Sequence, residues 1–493
     1  MTLHLPILQV IVPLIAAPLC MFLKQYPKAV WLFSLLASAL TLLISALLLQ
    51  QVLTSGTIIY ELGGWQPPWG IEYRIDQLNA YLLLIISAIS TIVLVAAQTS
   101  IEKELESYRQ SYFYMLYLLS LAGMLGIVAT ADAFNVFVFL EISSLSAYAL
   151  IALGKDRRAL WASYQYLIMG TVGATFILIG IGLMYQMTGT LNMNDLAQRL
   201  PEVAETRTVF VAFAFTVVGI CLKLALFPLH LWLPNAYAYA PSIVTAFFAA
   251  TATKVAIYLL IRFTFSIFGL SFSFTTLPLQ TLFLLLGLLG VFIASMTAIY
   301  QNNVKHIFAY SSVAQVGYMI VGLSVGSALG LTATLIHLFN HALMKSALFL
   351  ALAAVMYRIG SVQLNQFHGL GRQMPLTMAA IVVGGLSLVG VPLTVGFVSK
   401  WYLVLAVIEN GWWHVALLIL LGSLLAIIYL WKIVEAAYFK PPVHEAGTIK
   451  EAPYSILIPV WVLIFANLYF GIDTRLSVEV AQSAAQSLFG VAP

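Results

Sequence analysis

Long apolar runs separated by short polar connections dominate this chain. A helix of about 18–25 apolar residues can span the hydrocarbon core of a bilayer. The pattern predicts fourteen such helices, numbered 1 to 14 in chain order. They cover residues 5–23, 29–53, 78–98, 112–129, 132–153, 162–187, 208–238, 242–268, 277–300, 304–326, 330–357, 376–408, 412–434 and 453–471. The pattern therefore predicts an all-α polytopic membrane protein.

Composition supports this class and excludes several others. Of the 493 residues, 62% are hydrophobic and 8% are charged, whereas soluble domains are about 25% charged. The 22 basic and 18 acidic residues nearly balance, which argues against nucleic acid as a partner. Two cysteines, Cys20 and Cys221, cannot ligate an iron–sulfur cluster alone. No GxxxxGK[ST] motif occurs, so we expect no P-loop ATPase chemistry. We also expect no cofactor and no metal site.

The distribution of Lys and Arg among the loops predicts the orientation in the membrane. Loops after odd-numbered helices carry thirteen basic residues, including Lys305. Loops after even-numbered helices, together with the C-terminal tail, carry five, including Arg262. Because cytoplasmic loops hold the excess of basic residues, we expect the odd loops in the cytoplasm. The chain is then a multi-pass protein of the inner (cytoplasmic) membrane with both termini extracytoplasmic.

Two of the predicted helices contain residues that interrupt a helix. Helix 7 contains Pro228 and Pro234, and helix 12 contains Gly390, Pro392 and Gly396. Proline removes a helix hydrogen bond, and freed backbone inside a membrane is tolerated only where protein or a wet cavity satisfies it. Each broken helix is the fourth member of a five-helix block, and two successive blocks of odd helix number enter the membrane from opposite sides. Paired broken helices in inverted repeats are typical of transport pathways.

These blocks predict the organisation of the chain as a single membrane domain over residues 1–493. Three flanking helices come first, two inverted five-helix repeats follow, and one further helix ends the domain. The predicted ranges are 1–98 for helices 1–3, 112–268 for helices 4–8, 277–440 for helices 9–13 and 453–471 for helix 14.

Charged residues inside the predicted helices are the strongest sign of function. They are Glu141, Lys223, Lys254, Lys345 and Lys400. A charge at the bilayer centre costs about 2.5–3.5 kcal/mol by insertion scales. All four cations are lysines, which can release a proton, whereas an arginine stays protonated. The set predicts a protein that moves charge, with protons as the expected cargo.

Helix 11 carries His337, His341 and Lys345 at i, i+4 and i+8, which places all three on one helix face. Histidine is the side chain whose unperturbed pKa lies near neutrality, so this face predicts a proton relay. HxxxH is also a metal-ligand spacing, but no Asp, Glu or Cys on helix 11 completes a site. His230, in the break of helix 7, either joins the relay or caps freed backbone.

Structural interpretations of the same residues stay open at this point. Glu141 could form an ion pair with a lysine of a neighbouring helix that only fixes packing, although such buried pairs stabilise weakly. Lys254 and Lys400 could extend their ammonium groups to the membrane surface. Lys254 lies about midway along helix 8, which makes this extension difficult.

Five stretches carry a family resemblance. They begin at Lys223, Phe308, His341, Gly369 and Leu388 and read KLALFPLHLWLPNAYAYAPSIVTAFFAATATKVAIYLLIRF, FAYSSVAQVGYMIVGL, HALMKSALFLALA, GLGRQMPLT and LVGVPLTVGFVSKWYL. They resemble the antiporter-like, proton-translocating membrane subunits of respiratory complex I, membrane-bound hydrogenases and multi-subunit Mrp-type cation/proton antiporters. Within this family, WLPNAY and MTGTLNMNDLA are similar to the D-type subunit of Mrp antiporters.

The resemblance implies two inverted five-helix repeats whose half-channels meet along a central polar axis. It assigns the family's positions in helices 5, 7, 8, 11 and 12 to Glu141, Lys223, Lys254, His337 or His341, and Lys400. The chain departs from the family pattern at a few positions. Gln165 stands where a lysine is expected, Asn235 where many complex I subunits have an acid, and Leu393 where a second proline is usual.

The expected function is that of a proton-translocating subunit in a hetero-oligomeric Na+/proton antiporter within the lipid bilayer. Its expected pathway is the set just named, with His230 and Lys345 as accessory residues. One alternative is a proton-pumping subunit of a redox complex that binds no redox cofactor itself. Another is a non-conducting scaffold whose buried charges fix helix register.

Overall fold

Each predicted membrane helix has a counterpart in the computed structural model, which describes residues 4–445 and 449–490. Within these ranges, thirteen helices are long and apolar enough to cross a membrane. The remaining counterpart, helix 12, is divided into two pieces of 15 residues each. The all-α polytopic membrane class is therefore confirmed.

The membrane helices keep the numbers 1 to 14. Their bounds are Leu5–Leu19 continued by Cys20–Leu23, Pro27–Ser55, Gln77–Glu104, Ser107–Ala129, Ala133–Ala152, Arg158–Thr188, Arg207–Leu224 with Trp232–Tyr239, Ser242–Ile261 continued by Arg262–Ile267, Leu279–Tyr300, Val304–Ser324, Ala328–Ile359, Pro375–Val389 with Val395–Glu409, Trp413–Val434 continued by Glu435–Phe439, and Tyr454–Ile472. Helices 8, 10 and 11 are buried along most of their length, which places them in the interior of the bundle.

Helix 7 is broken where the sequence predicts a break, but only one of its two prolines lies there. The first piece ends at Leu224, and Ala225 adopts a left-handed conformation with φ 59°. Pro228 follows in the irregular connection, whereas Pro234 lies inside the second piece, near its start. Proline is tolerated in the first turn of a helix because the N–H groups there have no partner within the helix. Pro234 therefore does not interrupt helix 7.

The break in helix 12 begins at Gly390, whose φ of 92° favours glycine. Pro392 follows, and Leu393 has a φ of 71°. A second proline could not adopt that angle, because its ring fixes φ near −65°. Gly396 lies inside the second piece, so the prediction that it interrupts helix 12 is wrong. Gly396 instead lets the two pieces approach closely, since an added Cβ would lie 1.7 Å from the Ser387 carbonyl oxygen.

This close approach predicts that Gly396→Ala destabilises the joint of helix 12. Overpacking a dense interior costs about 1–3 kcal/mol, and here the obstacle is backbone, which cannot rotate away. We expect a lower melting temperature of the purified complex and a lower yield of assembled protein. Gly182→Ala is the matched control, because an added Cβ on Gly182 meets no atom within 4 Å. Equal stability of the two variants would contradict the argument.

The sequence pattern did not predict a β-hairpin, a C-terminal helix or several short helical segments in the loops, which are Leu62–Gly64, Met193–Arg199, Leu200–Val203, Ser271–Thr276, Leu364–Phe367 and Leu370–Gln373. Strands β1 (Ile58–Glu61) and β2 (Glu72–Ile75) form an antiparallel hairpin between helices 2 and 3. A C-terminal helix, Arg475–Leu488, follows helix 14 and packs against helices 3 and 11. The hairpin is joined to the N-terminus, because His4 Nδ1 lies 3.0 Å from the Tyr60 hydroxyl.

The loops divide into two sets at opposite ends of the bundle. One cavity is lined by residues from the loops after helices 2, 4 and 6, from the end of helix 8 and from the C-terminal helix. Another cavity is lined by residues from the end of helix 3 and from the loops after helices 5, 7, 9 and 11. We call these ends the even-loop side and the odd-loop side. Both ends of the described chain lie on the even-loop side.

Candidate functional site

The four lysines predicted inside the membrane are all buried within the bundle. Lys254 and Lys345 are 0% exposed, Lys400 is 7% exposed and Lys223 is 9% exposed. Six ion pairs within 4.0 Å occur in the part of the chain that the structure describes, and none includes any of these lysines. Each ammonium group is held by neutral acceptors, which makes the set unusual for buried charge.

Lys223 lies at the end of the first piece of helix 7 and points to helix 5. Its Nζ donates to Ser144 Oγ at 2.8 Å and to the Tyr148 hydroxyl at 3.3 Å. Glu141, one turn before Ser144, is half-buried, and its Oε1 is a buried oxygen without a hydrogen-bond partner. Lys223 is nevertheless within electrostatic reach of Glu141. The structure thus holds the expected pair apart, with Lys223 bonded to hydroxyls instead.

A cavity of about 50 Å³ lies beside Lys223. Its walls come from helices 4, 5, 6, 7 and 8, including Ser143, Ser144 and Tyr166 on one side and Ala252 and Val255 on the other. The last two flank Lys254 in sequence. Most of its lining is apolar, but Ser120, Ser143, Ser144, Tyr166 and Lys223 supply polar groups on one side. A cavity of this size has room for water at those groups, and it connects the surroundings of Lys223 with helix 8.

Lys254 and Lys345 are bonded mainly to main-chain oxygens. Lys254 Nζ donates to the Ala249 carbonyl at 2.6 Å, and Lys345 Nζ donates to the Phe308 carbonyl at 2.7 Å and to Ser311 Oγ at 2.5 Å. The ammonium group of Lys254 is hydrogen-bonded to backbone inside the bundle, so it does not reach the membrane surface. The interpretation in which Lys254 extends its ammonium group to that surface does not fit this geometry.

The two histidines of helix 11 stack on one face, with ring centroids 6.1 Å apart and an interplanar angle of 7°. His337 Nδ1 lies 2.8 Å from Ser399 Oγ, and its Nε2 has no partner. Neither ring nitrogen of His341 has a partner, although the side chain is fully buried. His341 is within electrostatic reach of Lys254 and Lys345. Buried imidazole nitrogens without partners are costly and suit a group that exchanges protons.

Lys400 is held by the break in helix 12. Its Nζ donates to the carbonyls of Leu388 and Val389 at 2.9 and 2.8 Å and to Ser423 Oγ at 2.9 Å. Those carbonyls end the first piece of the helix, where they have no partner within the helix and the helix dipole favours a cation. The ammonium also lies 4.9 Å from the centroid of the Tyr318 ring. The break therefore creates the acceptors that keep a lysine inside the membrane.

His230 lies in the connection between the two pieces of helix 7. Its ring stacks on Phe227 at 5.4 Å and meets Tyr310 edge-on at 6.4 Å. Nδ1 has no partner. The contacts bring His230 to helix 10 and leave both predicted roles for it open.

Sequence reasoning missed a further buried lysine, Lys305, and two residues that contact this set, Tyr318 and Ser399. Lys305 was counted as a loop charge, but it is 1% exposed and donates to the Ala240 carbonyl and Ser242 Oγ at 3.2 and 3.3 Å. Its position one residue inside helix 10 was the available signal. Tyr318 and Ser399 join Lys400 to His337, yet tyrosines and serines are too common in membrane helices to be recognised from sequence.

The departures from the family pattern at Gln165 and Asn235 prove to be in contact. Asn235 Nδ2 donates to Gln165 Oε1 at 2.9 Å, and Asn235 Oδ1 lies 3.3 Å from His306 Nε2. A neutral amide pair therefore occupies the place where the resemblance leads us to expect a lysine and an acid. No charge from helix 6 is available at this position.

Comparison with known proteins identifies the family of this chain. Residues 130–426 match the family model described as NADH:quinone oxidoreductase/Mrp antiporter, transmembrane. The chain is 41% identical to NADH-quinone oxidoreductase subunit N of Desulforudis audaxviator, with 96% of each chain covered. It is 31% identical to the D-type subunit of the Na(+)/H(+) antiporter of Alkalihalophilus pseudofirmus, with 95% of this chain and 94% of the relative covered.

A solved structure extends the likeness to the whole fold. A chain of the Mrp complex from Dietzia sp. superimposes with a TM-score of 0.90 at 25% identity, covering 99% of this chain and 97% of that one. The antiporter-like and complex I-like resemblance noted in the sequence is thus confirmed. The chain belongs to the NADH:quinone oxidoreductase/Mrp antiporter family of transmembrane subunits.

Proposed function

We propose that this chain translocates protons as one subunit of a membrane complex that exchanges a monovalent cation, Na+, for protons. The proposed pathway consists of Glu141, Lys223, Lys254, His341, His337 and Lys400. One observation carries the proposal: the lysines are buried among neutral acceptors, and none of them forms an ion pair within 4.0 Å in the described ranges. A buried lysine without a fixed counter-ion is free to exist with or without its proton, whereas a merely structural lysine needs a close partner.

The first step is a change of partner by Lys223. Bonded to Ser144 and Tyr148, it is separated from Glu141; a swing of its flexible stem would pair the two and hold the proton on Lys223. When Lys223 returns to the hydroxyls of Ser144 and Tyr148, Glu141 no longer holds the proton on it. The proton can then pass through the adjoining cavity towards Lys254. Protonation and charge placement are coupled in this way.

The second step crosses from helix 8 to helices 11 and 12. His341 receives the proton because its nitrogens are free and it is within electrostatic reach of Lys254. The stacked His337 passes it on, and Ser399 and Tyr318 connect that ring to Lys400. The positive charge of Lys345 changes the energy of a protonated histidine on this helix face.

Two inverted repeats, residues 112–268 and 277–440, provide the framework for this pathway. An isolated β-bridge joins Asp132 to Asn192 on the even-loop side, between the loops after helices 4 and 6. A second bridge joins Asn303 to Gln363 on the odd-loop side, between the loops after helices 9 and 11. These loops hold equivalent places in the two blocks, so equivalent bridges at opposite ends support inversion. The chain would lie in the inner membrane with both termini extracytoplasmic.

A second function is favoured by the 41% identity to an oxidoreductase subunit. In this case the same pathway would be driven by electron transfer in partner subunits, and the chain would bind no redox cofactor. The lysines and histidines would have the same roles, so the two functions differ in driving force alone.

The intact complex, purified with its partner subunits and reconstituted in vesicles, tests the proposal. A pH-sensitive dye inside the vesicles reports proton movement after an imposed Na+ gradient or after addition of an electron donor and acceptor. We expect proton movement driven by the Na+ gradient. Movement driven only by the electron donor would favour the redox function, and movement under neither condition would contradict proton translocation.

A further inference from the structure

A cavity of about 200 Å³ opens on the even-loop side near the end of helix 8. Polar groups from five parts of the chain line it, including Asp76, Thr130, Asn194 and Arg262. The end of the C-terminal helix contributes Ser487 and Leu488 to its wall. The proposed pathway does not use this cavity.

A largely buried ion pair is part of the lining of the cavity. Arg262 Nη2 donates to both carboxylate oxygens of Asp76, at 2.6 and 2.5 Å. The side chains are 11% and 21% exposed. Arg262 Nε donates to the Tyr258 hydroxyl at 3.1 Å, and that hydroxyl donates to the Val128 carbonyl at 3.0 Å. Tyr258 is thus the only fully buried hydroxyl that bonds this ion pair among the residues described.

Lys254, Tyr258 and Arg262 occupy positions i, i+4 and i+8 of helix 8, so they share one face. At 1.5 Å of rise per residue, the face extends about 12 Å from the centre of the pathway to the cavity. Helical side chains lean towards the N-terminus, so Tyr258 covers the turn that carries Lys254. The backbone changes to a π-helix at Arg262, and such turns occur frequently at functional sites.

We propose that this face of helix 8 is a second proton route, between Lys254 and the even-loop side, with Tyr258 as the relay and the Arg262–Asp76 pair as its gate. The inference rests on the proposed function, because it requires Lys254 to carry protons. In the structure, Lys254 Nζ is bonded to the Ala249 carbonyl, towards the odd-loop side. If the Lys254 side chain turned towards Tyr258, its ammonium group would face the even-loop side instead of the odd-loop side.

The proton balance of the relay is simple. The Tyr258 hydroxyl turns from the Val128 carbonyl and gives its proton to Asp76 or to water in the cavity. Its oxygen accepts a proton from Lys254 in the same step, so tyrosine stays neutral. Arg262 keeps its positive charge throughout. That charge opposes protons entering from the cavity as long as Arg262 is aligned with Asp76 and Tyr258. Loss of the Asp76 carboxylate should free Arg262 and leave the gate incomplete.

Tyr258→Phe tests the relay, since it removes one oxygen and keeps the ring. We expect coupled proton transport by the reconstituted complex to fall about tenfold or more, because a positioned proton-transfer group contributes at least that much. Tyr117→Phe is the matched control: Tyr117 is also fully buried and donates to a main-chain carbonyl, that of Ser90, at 3.2 Å. Asp76→Asn tests the gate and should let an imposed pH difference across the vesicle membrane collapse in the absence of a Na+ gradient and of an electron donor.

Labelling from the even-loop side gives a second measurement that keeps the folded chain intact. Asn194→Cys, at the exposed rim of the cavity, should react with a bulky membrane-impermeant maleimide, and the label should inhibit transport. Gln66→Cys, exposed in the hairpin turn on the same side, should react without inhibition. The two native cysteines are buried and give little background.

These outcomes separate the second route from the proposed function. Normal transport by Tyr258→Phe and by labelled Asn194→Cys, with a transporting wild-type complex, would overturn the second route alone. A wild-type complex that moves no protons under either driving force would overturn both.

Discussion

Replacing Lys254 with methionine should abolish proton transport while leaving the complex assembled. Methionine matches the length of lysine without the charge, and Lys254 is fully buried with only a main-chain carbonyl and a threonine hydroxyl as acceptors. A relay group contributes about 10²- to 10⁴-fold to a proton-transfer rate. We therefore expect transport to fall by about 10²-fold or more. The measurement is dye-reported proton flux in vesicles at equal protein content.

The thermal stability of the Lys254→Met complex should not fall together with its transport activity. Replacing buried charge with well-packed apolar groups is often neutral or stabilising. The melting temperature of the Lys254→Met complex should therefore equal or exceed that of the wild type. This combination distinguishes a proton carrier from a scaffold, since a scaffolding lysine would lose stability and keep transport. Lys432→Met is a suitable control, because Lys432 lies near the odd-loop end of helix 13 and bonds one carbonyl at the end of helix 9 and one in the connection after it.

If transport persists in Lys254→Met, the combined variant with Lys223→Met becomes decisive. Retained flux in that double variant would favour the scaffold, whose buried charges serve only to fix helix register. If proton flux is lost in the double variant but persists in Lys254→Met, either lysine suffices as a carrier. The proposed linear pathway would then be wrong at helix 8.

The helices and their breaks were predictable because bilayer thickness and backbone chemistry constrain them directly. A spanning helix needs a long apolar run, and this requirement leaves a pattern that single substitutions do not hide. Pro228 and Gly390 marked the breaks because neither residue suits a helix interior. Pro234 and Gly396 gave misleading signals, since proline is accepted in a first turn and glycine also serves close packing.

The partners of the buried charges were not predictable, because they come from helices far apart in sequence. Lys223 bonds residues about 75 to 79 positions away, and Lys345 bonds Ser311 on a different helix. The C-terminal helix was missed for another reason: its small and polar residues give it too little apolar length for a membrane span. Lys305 was misassigned because a lysine next to a helix start resembles a loop charge until the neighbouring loops are placed around it.

Glu141→Ala and Lys223→Ala should each abolish coupled exchange, and together they test how the pathway begins. Glu141 holds no ion pair within 4.0 Å in the described ranges, so its removal leaves no close cation partner unpaired and the complex should assemble. Lys223 is bonded only to two hydroxyls, which can bond each other or water after its removal. Stability should change little in both variants.

The variant Ser144→Ala sharpens this test, because it removes one hydroxyl acceptor of Lys223 and leaves Glu141 in place. Lys223 should then spend more time paired with Glu141, which slows proton release without abolishing it. We expect transport to be reduced in Ser144→Ala and lost in Glu141→Ala and Lys223→Ala, measured in everted vesicles with assembly checked by co-purification. Normal exchange by assembled Glu141→Ala and Lys223→Ala complexes would show that partner exchange at Lys223 does not drive the proton.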